Sequence, residues 1–242
     1  MSNQTFVFSL GAWIVPSVFD ATRSHLESLG FSSACPAHPS IGAEPPSMTL
    51  EDDIESLRGV LTAYVDNGRD VIVVAHSYGG VVASSAVEGL TKTARTEAGR
   101  SEGVIKVIYL AAFASDKGQS LLGMLGGNYL LWMKVEGDYV HADGAGDVGW
   151  QDIPLENQEK WNSLTLHTSR EVFSGESTFE PWRDIPCAYI LCKNDRALPP
   201  PFQELFASKV AGPENTYRLP SSHSPLLSMP DRLVETLKKV TV

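Results

Sequence analysis

Residues 71–80 read VIVVAHSYGG. A run dominated by β-branched residues stops abruptly at His76-Ser77-Tyr78-Gly79-Gly80, just ahead of the small and apolar stretch VVASSAVEGL. Strands that merely stop end more often in Asn, Asp, Pro or Gly turn chemistry. The string has the form A-x-S-x-G, one methyl away from G-x-S-x-G, in which a sharp strand-to-helix turn holds a serine Oγ proud of a sheet. Ala75 and Gly79 are small enough to let the backbone close such a turn without Cβ clashes. Ser77 is therefore a candidate nucleophile, and the rest of the chain has to supply a base, an acid and an oxyanion site.

Around this turn, short β-rich runs alternate with helical patterns, the signature of a parallel sheet with crossover helices. Strands are expected at Thr5–Ser9, Phe31–Ala34, Val71–Ala75, Val104–Leu110, Cys187–Cys192 and Thr216–Leu219. Val18, Phe19, Thr22, Leu26 and Leu29 share one helical face, closed by Gly30. Thr49 followed by Leu50-Glu51-Asp52-Asp53 reads as an N-cap with acids in the first turn of a helix that buries Ile54, Leu57, Leu61 and Tyr64 or Val65. The charged stretch TKTARTEAGRSEG reads as a solvated loop, and a last helix starts near Pro230 with Leu233, Val234 and Leu237 inward. Residues 114–182 break the rhythm: they hold Trp132, Trp150, Trp161 and Trp182 and no clean strand. A structureless loop of that length is improbable in a compact domain, so the expectation is a helical insertion covering the sheet.

An activated serine needs a histidine within reach, itself oriented by a carboxylate. Downstream, CAYILC runs into Lys193-Asn194-Asp195, and TYRL runs into Pro220-Ser221-Ser222-His223. Ser77, Asp195 and His223 thus emerge at the carboxyl ends of strands on one edge of one sheet, where open α/β folds place their ligands. Asp116, after the strand ending YLAAF, is the competing acid. The other histidines fit less well: His25 and His38 precede the serine, His141 and His167 lie in the insertion, and His76 is expected to be a packed, hydrogen-bonded neighbour. Oxyanion donors are expected at the Tyr78 N–H, heading a helix, and at the Ala12 N–H, where Gly11 lets the backbone approach a substrate.

LGAW, AHSYGG, VIYLAAF, PWRDIPCAYILCKNDRALP and SSHSPLLSMP, in that order, resemble the plant methylesterase and hydroxynitrile lyase-like group of the serine α/β-hydrolases and its short microbial relatives. The resemblance spans nearly the whole chain except the insertion. It implies an α/β-hydrolase fold: a six-stranded, mainly parallel sheet with helices on both faces, a core of residues 1–113 and 183–242, and a helical cap of residues 114–182. It implies a Ser77-Asp195-His223 triad with Ala12 and Tyr78 as oxyanion donors. Leu10 and Ala75 depart from the group's pattern, standing where a histidine and a glycine are usual. The group's lyases carry a threonine in the oxyanion loop and a lysine after the base. This chain has Gly11 and Ser224 at those places, which disfavours lyase chemistry.

The expected reaction is therefore acyl transfer to water on an ester, thioester or lactone, with Gly11, Trp132 and Trp161 lining an apolar pocket for a small hydrophobic or aromatic substrate. Two alternatives are a cyclase or lactonising enzyme on the same fold, and a receptor with a vestigial triad. No cofactor and no metal is called for. The formal net charge of −10 argues against nucleic acid or an anionic membrane as partner, and a homodimer is left open. Three cysteines, Cys35, Cys187 and Cys192, form no C-x-x-C pair and read as reduced, semi-buried thiols. The apolar run near the N-terminus has no basic region ahead of it, and no stretch approaches the ~18 apolar residues of a membrane span. The chain is expected in the cytoplasm.

Overall fold

The structure, a computed structural model, describes residues 3–241. In chain order the core elements are β1 (Gln4–Ser9), α1 (Asp20–Ser28), β2 (Ser32–Ala34), α2 (Leu50–Asp66), β3 (Asp70–His76), α3 (Gly79–Ala86), α4 (Lys92–Glu97) and β4 (Val104–Leu110). An insertion follows, with α5 (Leu121–Met124), β5 (Met133–Glu136), β6 (Tyr139–Ala142), α6 (Ala145–Gly149), α7 (Leu155–Ser163) and β7 (Thr168–Ser169). The core resumes with β8 (Cys187–Cys192), α8 (Pro200–Val210), β9 (Thr216–Leu219), α9 (Pro225–Ser228) and α10 (Pro230–Thr241).

Alternation along the strands builds both faces of the sheet. On one face, Val7, Val71, Val73 and Ala75 pack with Leu57 and Leu61 of α2, Val81 and Val82 of α3, and Phe206 of α8. On the other, Phe6, Phe8, Ile72 and Val74 meet Leu26 of α1 and Leu233, Val234 and Leu237 of α10. Burial on both faces explains why β3 is apolar at nearly every position. Among the described residues, six strands run β2-β1-β3-β4-β8-β9, every neighbouring pair parallel. The strand order reverses between β1 and β3, and a ligand crevice opens at the carboxyl ends there. No helix among the described residues is long and apolar enough to cross a membrane.

Three expectations need correction. The insertion is mixed rather than helical: β5, β6 and β7 form a three-stranded antiparallel sheet. Its hairpin pairs Glu136 with Tyr139 across Gly137-Asp138, with Gly137 at φ 63°. The charged stretch after α3 holds α4 rather than a loop. Thr91 caps it by accepting from the Ala94 N–H, and buried Arg95 binds Asp66 at 2.8 Å. A charged sequence made this helix read as solvent-facing, yet one of its cations is tied to the core. Leu29, placed on the buried face of α1, is 42% exposed.

Candidate active site

Ser77 sits directly after β3 with φ at +55°, a left-handed conformation disfavoured for a residue bearing a side chain. Its surroundings hold it there. The Ser77 N–H donates to the Leu110 carbonyl, and the Ser77 carbonyl accepts from Phe113 and Gly80 N–H groups at 3.1 and 3.0 Å. The following glycines are sterically required: a Cβ on Gly79 would lie 2.4 Å from the Ser9 and Leu10 oxygens, and one on Gly80 2.1 Å from the Phe113 oxygen. α3 thus starts flush against the strands, directing its N-terminal dipole toward Ser77. Ala75, which replaces the group's usual glycine, is fully buried in the core under α2 and α3.

Asp195 and His223 come together from the loops after β8 and β9. His223 Nδ1 lies 2.7 Å from Asp195 Oδ2, with the Asp195 side chain wholly buried. The other contacts of Asp195 fix its plane: Oδ1 accepts from the Ala197 and Leu198 N–H groups at 2.8 Å each, and Oδ2 from Gln203 Nε2 at 2.8 Å. Asp195 therefore both caps the turn before α8 and orients an imidazole. Asp116 has another occupation: it is 43% exposed and paired with Lys209 at 2.8 Å. His25 likewise pairs with Asp231 at the surface, and His141 lies beside Glu136.

Ser77 and His223 line a pocket with Gly11, Ala12, Trp132 and Trp150. An adjoining pocket shares Trp13, Ser77, Trp132, Ala197 and His223 and adds Tyr78, Phe113, Leu121, Met133 and Phe173. The serine thus stands between two apolar chambers, and Trp132 borders both. Trp161 does not reach either. It borders a separate space beyond Trp150, whose indole N–H donates to Asn162 of α7 at 3.1 Å. α7, which carries Trp161, has no buried residue, so its tryptophan packs at the outer margin of the cap.

The insertion is tied to the loops around Ser77 and His223. Trp13, at φ 68°, donates its backbone N–H to Thr168 Oγ1 at 3.0 Å and its indole N–H to the Val140 carbonyl at 2.8 Å. On the far side, the Ser222 N–H donates to Asp152 at 2.7 Å and Gln151 donates to the Asn194 carbonyl. The loops that carry Asp195 and His223 are thereby both held by the insertion.

His76 is buried beside the site, its ring centroid 4.6 Å from that of His223. Its Nε2 lies 2.9 Å from the His223 carbonyl, so the proton sits on Nε2 and donates. Burial, then the neighbouring His223, push its pKa down to about 3, keeping it neutral. His38, expected to lie apart from the site, is buried with Nε2 3.2 Å from the Leu10 carbonyl, directly ahead of Gly11 and Ala12. Burial lowers its pKa as well. Asp53, read as a first-turn acid of α2, is completely buried and accepts from the Tyr78 hydroxyl at 2.7 Å. A signal was present in the sequence, since Leu50, Asp53, Ile54 and Leu57 follow i, i+3, i+4, i+7 spacing and put the acid on the apolar face.

A profile of the alpha/beta hydrolase family matches residues 6–236. The chain is a member of the alpha/beta hydrolase family. Along 98% of its length it is 29% identical to the alpha/beta hydrolase nvfD of Aspergillus novofumigatus, covering 96% of that protein. Among solved structures, polyneuridine aldehyde esterase superposes with a TM-score of 0.79 at 19% identity, covering all of both chains. The methylesterase MES16 from Arabidopsis gives a TM-score of 0.76 at 21% identity over 98% of each. These superpositions place this alpha/beta hydrolase in the fold of the plant methylesterase group, the likeness that its motifs carry in sequence.

Proposed function

We propose that this alpha/beta hydrolase cleaves carboxylic esters, thioesters or lactones bearing a hydrophobic group, through an acyl-enzyme on Ser77. The observation that carries the reading is the buried Asp195–His223 pair at 2.7 Å, opening onto the same cavity as a serine at positive φ. Asp195 holds the imidazole in one tautomer, with the proton on Nδ1, and leaves Nε2 as base. His223 takes the Ser77 proton as Oγ attacks the carbonyl, and the Ala12 and Tyr78 amides receive the developing oxyanion. The imidazolium then protonates the leaving group, and water, deprotonated by the same histidine, releases the acid. Neutral His76 adds no positive charge against that imidazolium. The two apolar chambers flanking Ser77 support a substrate with an apolar group on each side of the scissile bond.

The test is intact-mass labelling with a fluorophosphonate, followed by a panel of aliphatic and aromatic esters, thioesters and lactones. One phosphonyl adduct, abolished in Ser77→Ala, together with turnover of panel members is expected. Asp195→Asn should fold normally and lose on the order of 10⁴ in kcat, as expected where a triad loses its orienting carboxylate, while Asp116→Asn stays near wild type. Labelling of another residue overturns the nucleophile, and a labelled chain that turns over nothing in the panel overturns hydrolysis.

A further inference from the structure

The two arms that would bind an oxyanion are each gripped from behind by one loop. Residues 35–49, between β2 and α2, carry His38 and Ser40 into the interior, and α2 adds Asp53 just beyond. On the Tyr78 arm, the phenol O–H donates to Asp53 Oδ2 at 2.7 Å. Ser40 donates to the same carboxylate twice, from its hydroxyl at 2.6 Å and its N–H at 2.9 Å. On the other arm, His38 Nε2–H points at the Leu10 carbonyl at 3.2 Å and at Ser9 Oγ at 3.4 Å. Ser9 Oγ in turn donates to the Gly79 carbonyl at 2.9 Å, linking the arms at the first turn of α3. The His38 and Tyr78 rings meet edge to face at 5.9 Å.

A helix face that needed only to be buried would carry an apolar residue at position 53. A fully buried carboxylate is costly unless its oxygens are satisfied, and here each donor that satisfies it belongs to the elbow or to the loop behind it. None of Asp53, Ser40 or His38 lines either chamber at Ser77. They touch no substrate and can act only through the backbone they hold. We propose that Asp53, Ser40 and His38 are positioning residues that set the separation and direction of the Tyr78 and Ala12 amides, a role that rests on the acyl-transfer reading above. Through the Leu10 carbonyl, His38 holds the chain directly ahead of Gly11 and Ala12.

Removing an oxyanion donor outright costs about 10²–10³ in kcat, and misdirecting one costs less, so each variant is expected to lose about tenfold. Tyr78→Phe keeps the amide and deletes the O–H. Asp53→Asn keeps the shape but only one acceptor oxygen, so Tyr78 O–H and Ser40 N–H no longer both find one. With rates normalised to fluorophosphonate-titrated sites, both should lower kcat for a panel ester about tenfold with KM within about twofold, because the contact matters in the transition state. Affinity for a trifluoromethyl ketone that adds to Ser77 should fall by the same factor. The double variant should lose no more than the worse single one, since both break the same contact.

Titrated sites that turn over at wild-type kcat while Tm falls would make the network a structural tie and overturn the proposal. Additive losses in the double variant would overturn the coupling through Tyr78. If Asp53→Asn does not fold, Tyr78→Phe and Ser40→Ala carry the test, and unchanged kcat in both overturns it. A wild-type chain that the fluorophosphonate leaves unlabelled overturns the acyl-transfer reading and this role together. A labelled, active wild type with unmoved variants overturns this role alone.

Discussion

His76 links the end of β3 to the loop that presents His223, and its burial keeps the ring neutral. Its Nε2–H is committed to the His223 carbonyl, while Nδ1 is buried without a hydrogen-bond partner among the described residues. A second proton would have to enter at that unpartnered nitrogen, next to another imidazole. The folded pKa of about 3 against an ordinary 6.5 expresses this cost. The sign follows: unfolded His76 gains a proton as pH falls below about 6.5 and folded His76 does not. His76 therefore supports the fold fully above pH 6.5 and progressively less toward pH 3, at about 1.4 kcal/mol per pH unit inside that window. His38, lowered in the same direction, adds to the slope. His76→Gln removes one titration and keeps an N–H donor. Thermal unfolding from pH 7.0 to 5.0 should show a smaller decline in Tm for the variant than for wild type, and equal declines would remove His76 from the account. Single residues differed in how visible they were beforehand. Ser77, Asp195 and His223 each follow the end of a strand by one to four residues, so the strand ends pointed to them. Asp53 sits among first-turn acids, and only its place on the apolar face of α2 sets it apart.

The insertion is where elements were hardest to read. MKVE and YVHA are four-residue strands, each with one fully buried side chain, too short for alternation to separate from a helical turn. The deciding signal was the Gly137-Asp138 pair between them, a two-residue hairpin turn. The tryptophans drew attention to the right segment but did not say which faces the serine. Trp132 follows the exposed Leu131 and precedes β5, and its ring meets Trp13 edge to face at 5.1 Å above Ser77. Trp161 lies on a helix with no buried residue. At this scale the two are expected to behave differently. Trp132→Ala merges the chambers and should change the ratio of kcat/KM between short and bulky esters by about tenfold, since a few methylenes of packing are worth ~1–3 kcal/mol. Trp161→Ala should leave that ratio within about twofold. A matched panel of p-nitrophenyl esters measures both, and a Trp161 effect equal to that of Trp132 would put the substrate beyond Trp150.

Across the whole molecule, the parallel sheet divides labour between its two ends. Ser77, Asp195 and His223 follow the carboxyl ends of β3, β8 and β9, and at the opposite end the strand starts are tied to one another. Arg69, just before β3, binds the Gln4 carbonyl, Thr5 Oγ1 and Ser32 Oγ, joining β1, β2 and β3 at their starts. Gln203 of α8 does comparable work at the other end. Its Oε1 accepts from the Cys192 N–H at 2.9 Å, and its Nε2 donates to Asp195 Oδ2 and the Leu198 carbonyl. This division was legible early, because alternating strands and helices dictate a parallel sheet and a parallel sheet dictates a functional edge. Gln203 was not, since a glutamine on a helix reads as solvent-facing until its carboxylate partner is known. The two residues offer a matched comparison. Arg69→Ala removes partly buried hydrogen bonds and should cost about 1–3 kcal/mol of stability while kcat per titrated site stays at the wild-type value. Gln203→Ala should also lower stability, but it leaves Asp195 one donor short and free to turn away from His223. Its kcat should fall by about tenfold or more, with a smaller change in KM. Chemical denaturation paired with active-site titration separates the two quantities, and a loss of kcat in Arg69→Ala equal to that in Gln203→Ala would mean that the ends of the sheet are not independent.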